Sequence, residues 1–500
     1  MGSLQDVLTS VSRFGPELIL TGALLLVVVV DSTGVAWRNG VNRVLTVAGL
    51  LLALVRCAEL RGVSAEIFGG MAVVDPVAVF FKALLIGASL LVVLAFTFRN
   101  SRELHGLGQG EFYALLLAVT LSNVLMAAAN DLAMLYLALE MVSITSYVMV
   151  AYMKGDRMSN EASLKYILFG AVSTGAMLYG LSLLYGLTGT TSLPAIRDFL
   201  AAGISESNRF AVYAIALLVF AGFGFKTASV PFHFWCPDVY QGAPTPVTAF
   251  LSVAPKAAGF AIMMRFFYQG LAVPRTDPWD LAGTIDWVRM LMLISVLTMT
   301  VGNVAALTQT NLKRLLAYSS IAHAGYIMMG VVALSQNGAQ SLMIYLLAYL
   351  VMNLGAFLVV TVVHLHEGTF DLRDYPGLYR RAPFLTVAMA VFLLSLMGIP
   401  PLVGFMGKLY VFAAVVERGP SYYWYAAVGA VNAAIAAFYY ARVLKTMIID
   451  AAPVEKPRLR LAFADAAWVG VLVLANVLPL LWWGRIDGWA RASLSLYAGR

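Results

Sequence analysis

Eight ionisable side chains stand inside otherwise apolar stretches of this chain: Lys82, Glu140, Lys165, Lys226, His233, Lys256, His323 and Lys408. Near the centre of a helix in hydrocarbon, a charge costs about 2.5–3.5 kcal/mol even on a lenient insertion scale, so such groups imply pairing, hydration or a job. Glu140 lies in Leu135-Tyr136-Leu137-Ala138-Leu139-Glu140-Met141-Val142-Ser143, with Tyr136 and Ser143 on its own helical face. A lone carboxylate there needs a cation from another helix. Lys226, in Gly222-Phe223-Gly224-Phe225-Lys226-Thr227, is the expected partner, because small glycines let helices approach closely. Burial in general disfavours the charged form of a lysine and a nearby carboxylate restores it, so a variable Glu140–Lys226 distance would act as a switch for a proton. A static ion pair that only fixes helix packing is the alternative.

Lys256, in Ser252-Val253-Ala254-Pro255-Lys256-Ala257-Ala258-Gly259, follows a proline that leaves a carbonyl unpaired among small residues, a place fit to hold water. Lys408, in Gly404-Phe405-Met406-Gly407-Lys408-Leu409-Tyr410, has similar surroundings. His233 follows Lys226 by two turns of one face if the helix continues, and His323 sits in Ile321-Ala322-His323-Ala324-Gly325-Tyr326. A neutral imidazole accepts at one nitrogen and donates from the other, which suits a relay; a hydrogen-bonded packing histidine is the alternative. Lys82 and Lys165 stand near the ends of apolar runs, where lysine can snorkel to the headgroups. His364 and His366 flank a loop and are expected in solvent.

These groups need helices that cross a bilayer. Of the 500 residues, 61% are hydrophobic and 12% charged, too few charges to cover a water-soluble core of that size. The expected fold is an all-α polytopic membrane protein; runs such as 18–30 and 84–98 do not alternate polar and apolar residues as barrel strands do. Apolar runs at roughly 17–30, 42–56, 77–98, 112–129, 131–153, 164–187, 209–230, 243–269, 287–308, 316–334, 341–366, 384–416, 421–449 and 463–484 predict about 14 transmembrane helices. The first run has only Arg13 before it and no small-residue cleavage pattern after it, so it is expected to be retained as a helix. A weak excess of basic residues in the odd-numbered loops places the N-terminus outside and clusters such as Lys313-Arg314, Arg380-Arg381 and Lys456-Pro457-Arg458 on the cytoplasmic side.

Two runs are interrupted, one at Val230-Pro231-Phe232-His233 and one at Gly398-Ile399-Pro400-Pro401. Proline removes a backbone donor, and each freed carbonyl then needs another partner. The breaks are five helices apart, an odd separation that would insert a second unit upside down, as in transporters whose site lies at mid-membrane. No residue-by-residue repeat is visible, and two independent proline kinks are the alternative.

Other chemistries are excluded. The net charge of +7, from 33 basic and 26 acidic residues, lies largely in short loops and suits anionic lipid, not nucleic acid. Cys57 and Cys236 are too few for an iron–sulfur cluster, a structural zinc site or a disulfide framework. No Walker loop, dinucleotide fingerprint or HExxH helix is present.

The stretch from Phe225-Lys226-Thr227-Ala228-Ser229-Val230-Pro231-Phe232-His233-Phe234-Trp235 through Pro237-Asp238-Val239-Tyr240-Gln241-Gly242-Ala243-Pro244-Thr245-Pro246 to Ala254-Pro255-Lys256-Ala257-Ala258 resembles the core of the proton-translocating antiporter-like subunits of respiratory complex I. Its wording is most similar to the subunit N branch of bacterial NADH-quinone oxidoreductase. Asn311-Leu312-Lys313-Arg314-Leu315-Leu316-Ala317-Tyr318-Ser319-Ser320-Ile321-Ala322-His323-Ala324-Gly325-Tyr326 is similar to the family's second signature.

The resemblance implies a three-helix peripheral segment over 1–110, a first five-helix unit over 111–270, a second, inverted five-helix unit over 271–450, and a loop and last transmembrane helix over 451–500. Each unit would carry a broken helix and a half-channel. It implies that Glu140 and Lys226 form the family's Glu–Lys pair, that Lys256 is its central lysine and Lys408 its terminal proton donor, and that Lys165 and His233 are linking groups, with His323 on the same path. The implied role is proton pumping coupled to quinone reduction in neighbouring subunits. This chain would hold no cofactor and do no redox chemistry; FMN, iron–sulfur clusters and quinone would belong to its partners. Those partners would be other membrane subunits, further antiporter-like ones among them, in a hetero-oligomer of the bacterial cytoplasmic membrane.

Lys408 differs from the acidic residue of the M-type subunit, and the chain stops 16 residues after its last apolar run, without the long lateral helix of the L type. The phrase from Pro237 to Pro244 favours this branch over the multi-subunit cation/proton antiporters, which are the alternative. Cys236 departs from the family's usual hydroxyl-bearing residue.

Overall fold

In hydrocarbon every backbone N–H and C=O must be satisfied within the chain, so a sequence this apolar folds as helices wherever it crosses. The computed structural model describes residues 4–35, 37–97, 109–204, 206–273, 279–282, 286–452 and 457–494. Its helices are α1 (Leu4–Arg13), α2 (Gly15–Ser32), α3 (Arg38–Glu59), α4 (Pro76–Val92), α5 (Gln109–Ala128), α6 (Leu132–Val150), α7 (Arg157–Thr188), α8 (Leu193–Ala201), α9 (Glu206–Thr227) and α10 (Trp235–Gly242). They continue with α11 (Thr245–Met264), α12 (Trp287–Ala306), α13 (Leu312–Val332), α14 (Gln336–Glu367), α15 (Leu378–Arg381), α16 (Pro383–Met397), α17 (Val403–Val416), α18 (Tyr423–Ile448), α19 (Phe463–Val477) and α20 (Trp483–Ala492). Among the described residues, 13 helical segments are long and apolar enough to cross a membrane, and the shorter α16 and α17 flank the second break. The sequence did not anticipate the amphipathic α1, the short α8, or the two small hairpins, 65–67 with 72–74 and 272–273 with 280–281.

Two helices stand out by length. α7 and α14 each have 32 residues, about 48 Å at 1.5 Å per residue, and each lies against both halves of a broken helix, α9 and α10 for α7, α16 and α17 for α14. Asp156 and Ser335 cap their first turns, and Gly189 and Gly368 end them in the left-handed conformation at φ 69° and 73°, which glycine alone adopts without cost. The residues entering α6 pair with those leaving α7 through an Asp131–Ser192 bridge, and about 180 residues later those entering α13 pair with those leaving α14 through Asn311–Asp371. Thus the same arrangement of a capped helix, a long helix and a broken helix occurs twice.

At the first break α9 stops at Thr227, and Ala228 takes φ 57°. The freed carbonyls find new donors: Phe225 O accepts from the Trp235 indole at 3.0 Å and Gly224 O from the Ser229 amide at 2.7 Å. His233 therefore does not continue the face of Lys226, as an unbroken helix would have required; it lies in the turn leading into α10. At the second break Gly398 ends α16 at φ 85°, and Lys408 Nζ donates to the carbonyls of Leu396 and Met397 at 3.1 and 2.6 Å.

Close approach of α12 and α13 rests on glycine. A Cβ on Gly302 would lie 2.5 Å from Ala322 N, and one on Gly325 would lie 2.7 Å from Met299 N, both rigid backbone atoms. Gly302→Ala should push these helices apart beside His323 and cost about 1–3 kcal/mol, read as a lower midpoint of thermal unfolding in detergent. A midpoint equal to the parent's would contradict this packing.

Several charged residues lie elsewhere than expected. Lys82 does not snorkel: its side chain is fully buried, with Nζ 2.6 Å from Glu17 Oε1 on α2, because that acid supplies a counter-charge at the same depth. Arg265 and Asp75 form a second buried pair, with Nη1–Oδ2 at 3.0 Å and Nη2–Oδ1 at 2.8 Å, while Asp75 also caps α4 through the Ala78 amide. Lys313 is drawn inward to Ala243 O at 2.6 Å, and Arg381 pairs with Glu367 at 2.7 Å. His364 is half-buried and stacks on Phe370 with ring centroids 3.8 Å apart, and His366 is exposed. Lys456 lies outside the described residues.

Candidate functional site

Each sequence-flagged lysine has a neighbour that its helix dictates. Lys226 occupies the last turn of α9, buried, and its Nζ donates to Ser143 Oγ at 2.9 Å; Ser143 in turn donates to Leu139 O. The expected direct Lys226–Glu140 ion pair is not formed. Glu140 sits one turn earlier on α6, only half-buried beside the exposed Leu137 and Ile144, while Ser143 faces inward. The ammonium thus bonds a residue three positions, about 4.5 Å of rise, beyond the carboxylate. The stem of Lys226 packs on Gly259 of α11, where a Cβ would come within 3.2 Å of Lys226 Cγ. Gly259 is three residues beyond Lys256, so the two lysines meet the same stretch of one helix.

Lys256 is carried by α11, every residue of which is buried. Its Nζ donates to Ser320 O at 2.9 Å and makes a further short contact with Ser320 Oγ on α13. From the adjacent Ser319 the contacts continue to the Tyr440 hydroxyl on α18, which lies 3.3 Å from His323 Nε2; His323 Nδ1 lies 3.0 Å from the Tyr345 hydroxyl on α14. His323 is therefore hydrogen-bonded at both nitrogens, between two phenols. Beyond it Lys408 Nζ lies 5.0 Å from the Tyr326 ring centroid, over its face, and is held by the α16 carbonyls of the second break.

The structure gathers Lys256, His323 and Lys408 around α13, with Ser320, Tyr440, Tyr345 and Tyr326 between or beside them, and brings Lys226 against α11, the helix that carries Lys256. It does not bring Lys165 into that buried series. Lys165 is 38% exposed and bridges Glu161 Oε1 at 2.8 Å and Asp238 Oδ2 at 2.7 Å, while Arg314 of α13 takes the other oxygen of Asp238. His233 is buried against Phe234, with ring centroids 4.4 Å apart.

The sequence did not single out Ser319, Ser320, Tyr345, Tyr440 or Asp238. The available signals were the serine pair within the second signature and the phenols one turn apart at Tyr345 and Tyr349, which look like ordinary membrane aromatics until α13 is placed beside them. Hydroxyl and imidazole groups each accept and donate, so a proton can be passed along such a series and stored on a lysine. Among the described residues no group of three or more His, Cys, Asp or Glu side chains could hold a metal ion.

The family model described as "NADH:quinone oxidoreductase/Mrp antiporter, TM" matches residues 129–435. NADH-quinone oxidoreductase subunit N of Anaeromyxobacter sp. (strain Fw109-5) is 46% identical over 99% of both chains. NAD(P)H-quinone oxidoreductase subunit 2 of Synechococcus sp. (strain JA-3-3Ab) is 46% identical over 87% of this chain and 80% of its own. A chain of respiratory complex I from Thermus thermophilus with bound aureothin superposes with a TM-score of 0.78 at 32% identity, covering 95% of this chain and 99% of that one. A chain of the Mrp complex from Dietzia sp. DQ12-45-1b shares the fold at 19% identity, with a TM-score of 0.81 over 97% of each chain. With most of its length inside that model and a relative 46% identical from end to end, the chain belongs to the NADH:quinone oxidoreductase/Mrp antiporter family of membrane subunits.

Proposed function

We propose that this chain is the N-type, proton-translocating membrane subunit of a bacterial NADH:quinone oxidoreductase, a multi-pass protein of the cytoplasmic membrane assembled with other membrane subunits. The end-to-end identity to a subunit N supports it over the cation/proton antiporter alternative. The observation that carries the mechanism is the set of buried polar groups running from Lys226 along α11 to Lys256 and Ser320, and from the adjacent Ser319 through Tyr440 to His323, in the direction of Lys408. The repeated arrangement of bridges, long helices and breaks supports two units of roughly 111–270 and 271–450, with 1–110 and 451–500 at the periphery.

In this mechanism quinone chemistry in a neighbouring subunit changes the field at Glu140. Lys226 moves between Ser143 and Glu140 and passes its proton inward when it leaves the acid. Lys256 accepts it, the phenols and His323 relay it, and Lys408 releases it at the second break. FMN, iron–sulfur clusters and quinone reside in partner subunits. Lys165 and His233 act at the margins of the path, Lys165 through its tie to Asp238.

The test is proton uptake by vesicles carrying the assembled complex. Lys226→Ala and Glu140→Ala should each lower NADH-driven pumping several-fold while the complex still assembles, and unchanged pumping in both would refute the mechanism. Ser143→Ala should lower it less, because Glu140 remains as the alternative partner.

A further inference from the structure

Tyr345, Tyr349 and Asn353 recur once per turn along α14, all buried within the core. Tyr345 meets His323, and the Tyr349 ring lies 5.3 Å from the His323 ring. Asn353 extends this polar stripe to α11: its amide nitrogen donates to Ser252 Oγ at 2.6 Å, and Ser252 already donates to Ala249 O at 2.7 Å. The other end of the amide, Oδ1, is buried and has no hydrogen-bond partner among the described residues.

A buried acceptor left without a donor is costly, and native structures seldom keep one without water or an ion. Ser252 stands one turn before Lys256 on the same face of α11. Pro255, inside the helix, has no N–H, and the carbonyl of Leu251 loses its usual donor in that same turn. The turn therefore gathers acceptors and lacks donors. A carbonyl-bearing amide is not a proton carrier, but it orients one that is small and donates on every side.

We propose that Asn353 Oδ1, with Ser252 and the Leu251 carbonyl, forms a site for a water molecule that is protonated in transit and loads Lys256, which makes Asn353 a positioning residue of the pump. In the step an O–H bond of hydronium breaks as an N–H bond forms on neutral Nζ, leaving water in the site and an ammonium that donates to Ser320. The proposal rests on the reading of Lys256 as a member of the proton path.

The experiment compares Asn353→Leu, of similar volume but without the acceptor, with Asn353→Asp, which keeps an oxygen at the same place, both in the assembled complex. Asn353→Leu should slow proton pumping about tenfold and raise its solvent deuterium isotope effect, while Asn353→Asp should recover most of the rate. Pumping by Asn353→Leu within twofold of the parent, or equal loss in both variants, would overturn the assignment. A high-resolution density map of the unsubstituted complex should also show an ordered water roughly 3 Å from Asn353 Oδ1, and its absence counts against the site whatever the variants' stability. Persistent pumping in Lys256→Ala would instead overturn the path on which the proposal rests.

Discussion

Lys256→Ala should slow proton pumping about 10²-fold while the complex remains assembled in the membrane, since a positioned group that gives and takes a proton contributes typically ~10²–10⁴ to a transfer step. The effect exceeds that of losing Lys226 or Glu140 because Lys256 is the ionisable group at the centre of α11, bonded to Ser320 of α13, while Lys226 packs on Gly259 of the same helix. Lys256→Arg separates proton transfer from packing. A guanidinium fills the space and can bond Ser320, but it does not release its proton, so this variant should be nearly as slow. Uptake followed with a pH-indicating dye in sealed vesicles decides the matter: a Lys256→Arg rate near the parent's would mean that the charge is structural.

Glu17→Ala should cost about 3–5 kcal/mol of stability, the penalty for stripping a buried ion of its partner. Lys82 is fully buried, and Glu17 is its ion-pair partner among the described residues. The measurable result is a large drop in the thermal midpoint of the detergent-solubilised protein or failure of the complex to accumulate. The double variant Glu17→Leu, Lys82→Met removes both charges at similar volume and should return stability close to the parent's, with pumping preserved, because this pair stands apart from the Lys226–Lys256–Lys408 series. A single variant as stable as the parent would show that Lys82 finds water or another acid.

The sequence made the charges in oil legible, together with the helices that carry them and both breaks, because each is a local violation of apolar composition. Contacts set by register between distant helices were not legible. Glu17 and Lys82, or Asp75 and Arg265, are joined only by how α2, α4 and α11 pack, and nothing near any of the four residues names its partner. His233 would share the face of Lys226 only if the helix continued, and the end of α9 at Thr227 removes that condition. The Glu140–Lys226 expectation named the right helices but not the rotation of α6, which presents Ser143 inward and leaves Glu140 at the rim. The two proline breaks hinted at a repeat from sequence, but the matching Asp131–Ser192 and Asn311–Asp371 bridges, set by backbone pairing, carried no sequence signal.

One carboxylate, Asp238 of α10, is gripped at once by Lys165 of α7 and Arg314 of α13. Any tilt of α10 would therefore pull on the first turn of α13, the helix that holds Ser320 and His323 about two turns further on. A displacement of α10 and one of α13 are thereby tied to each other by a single carboxylate, ahead of any movement of a proton.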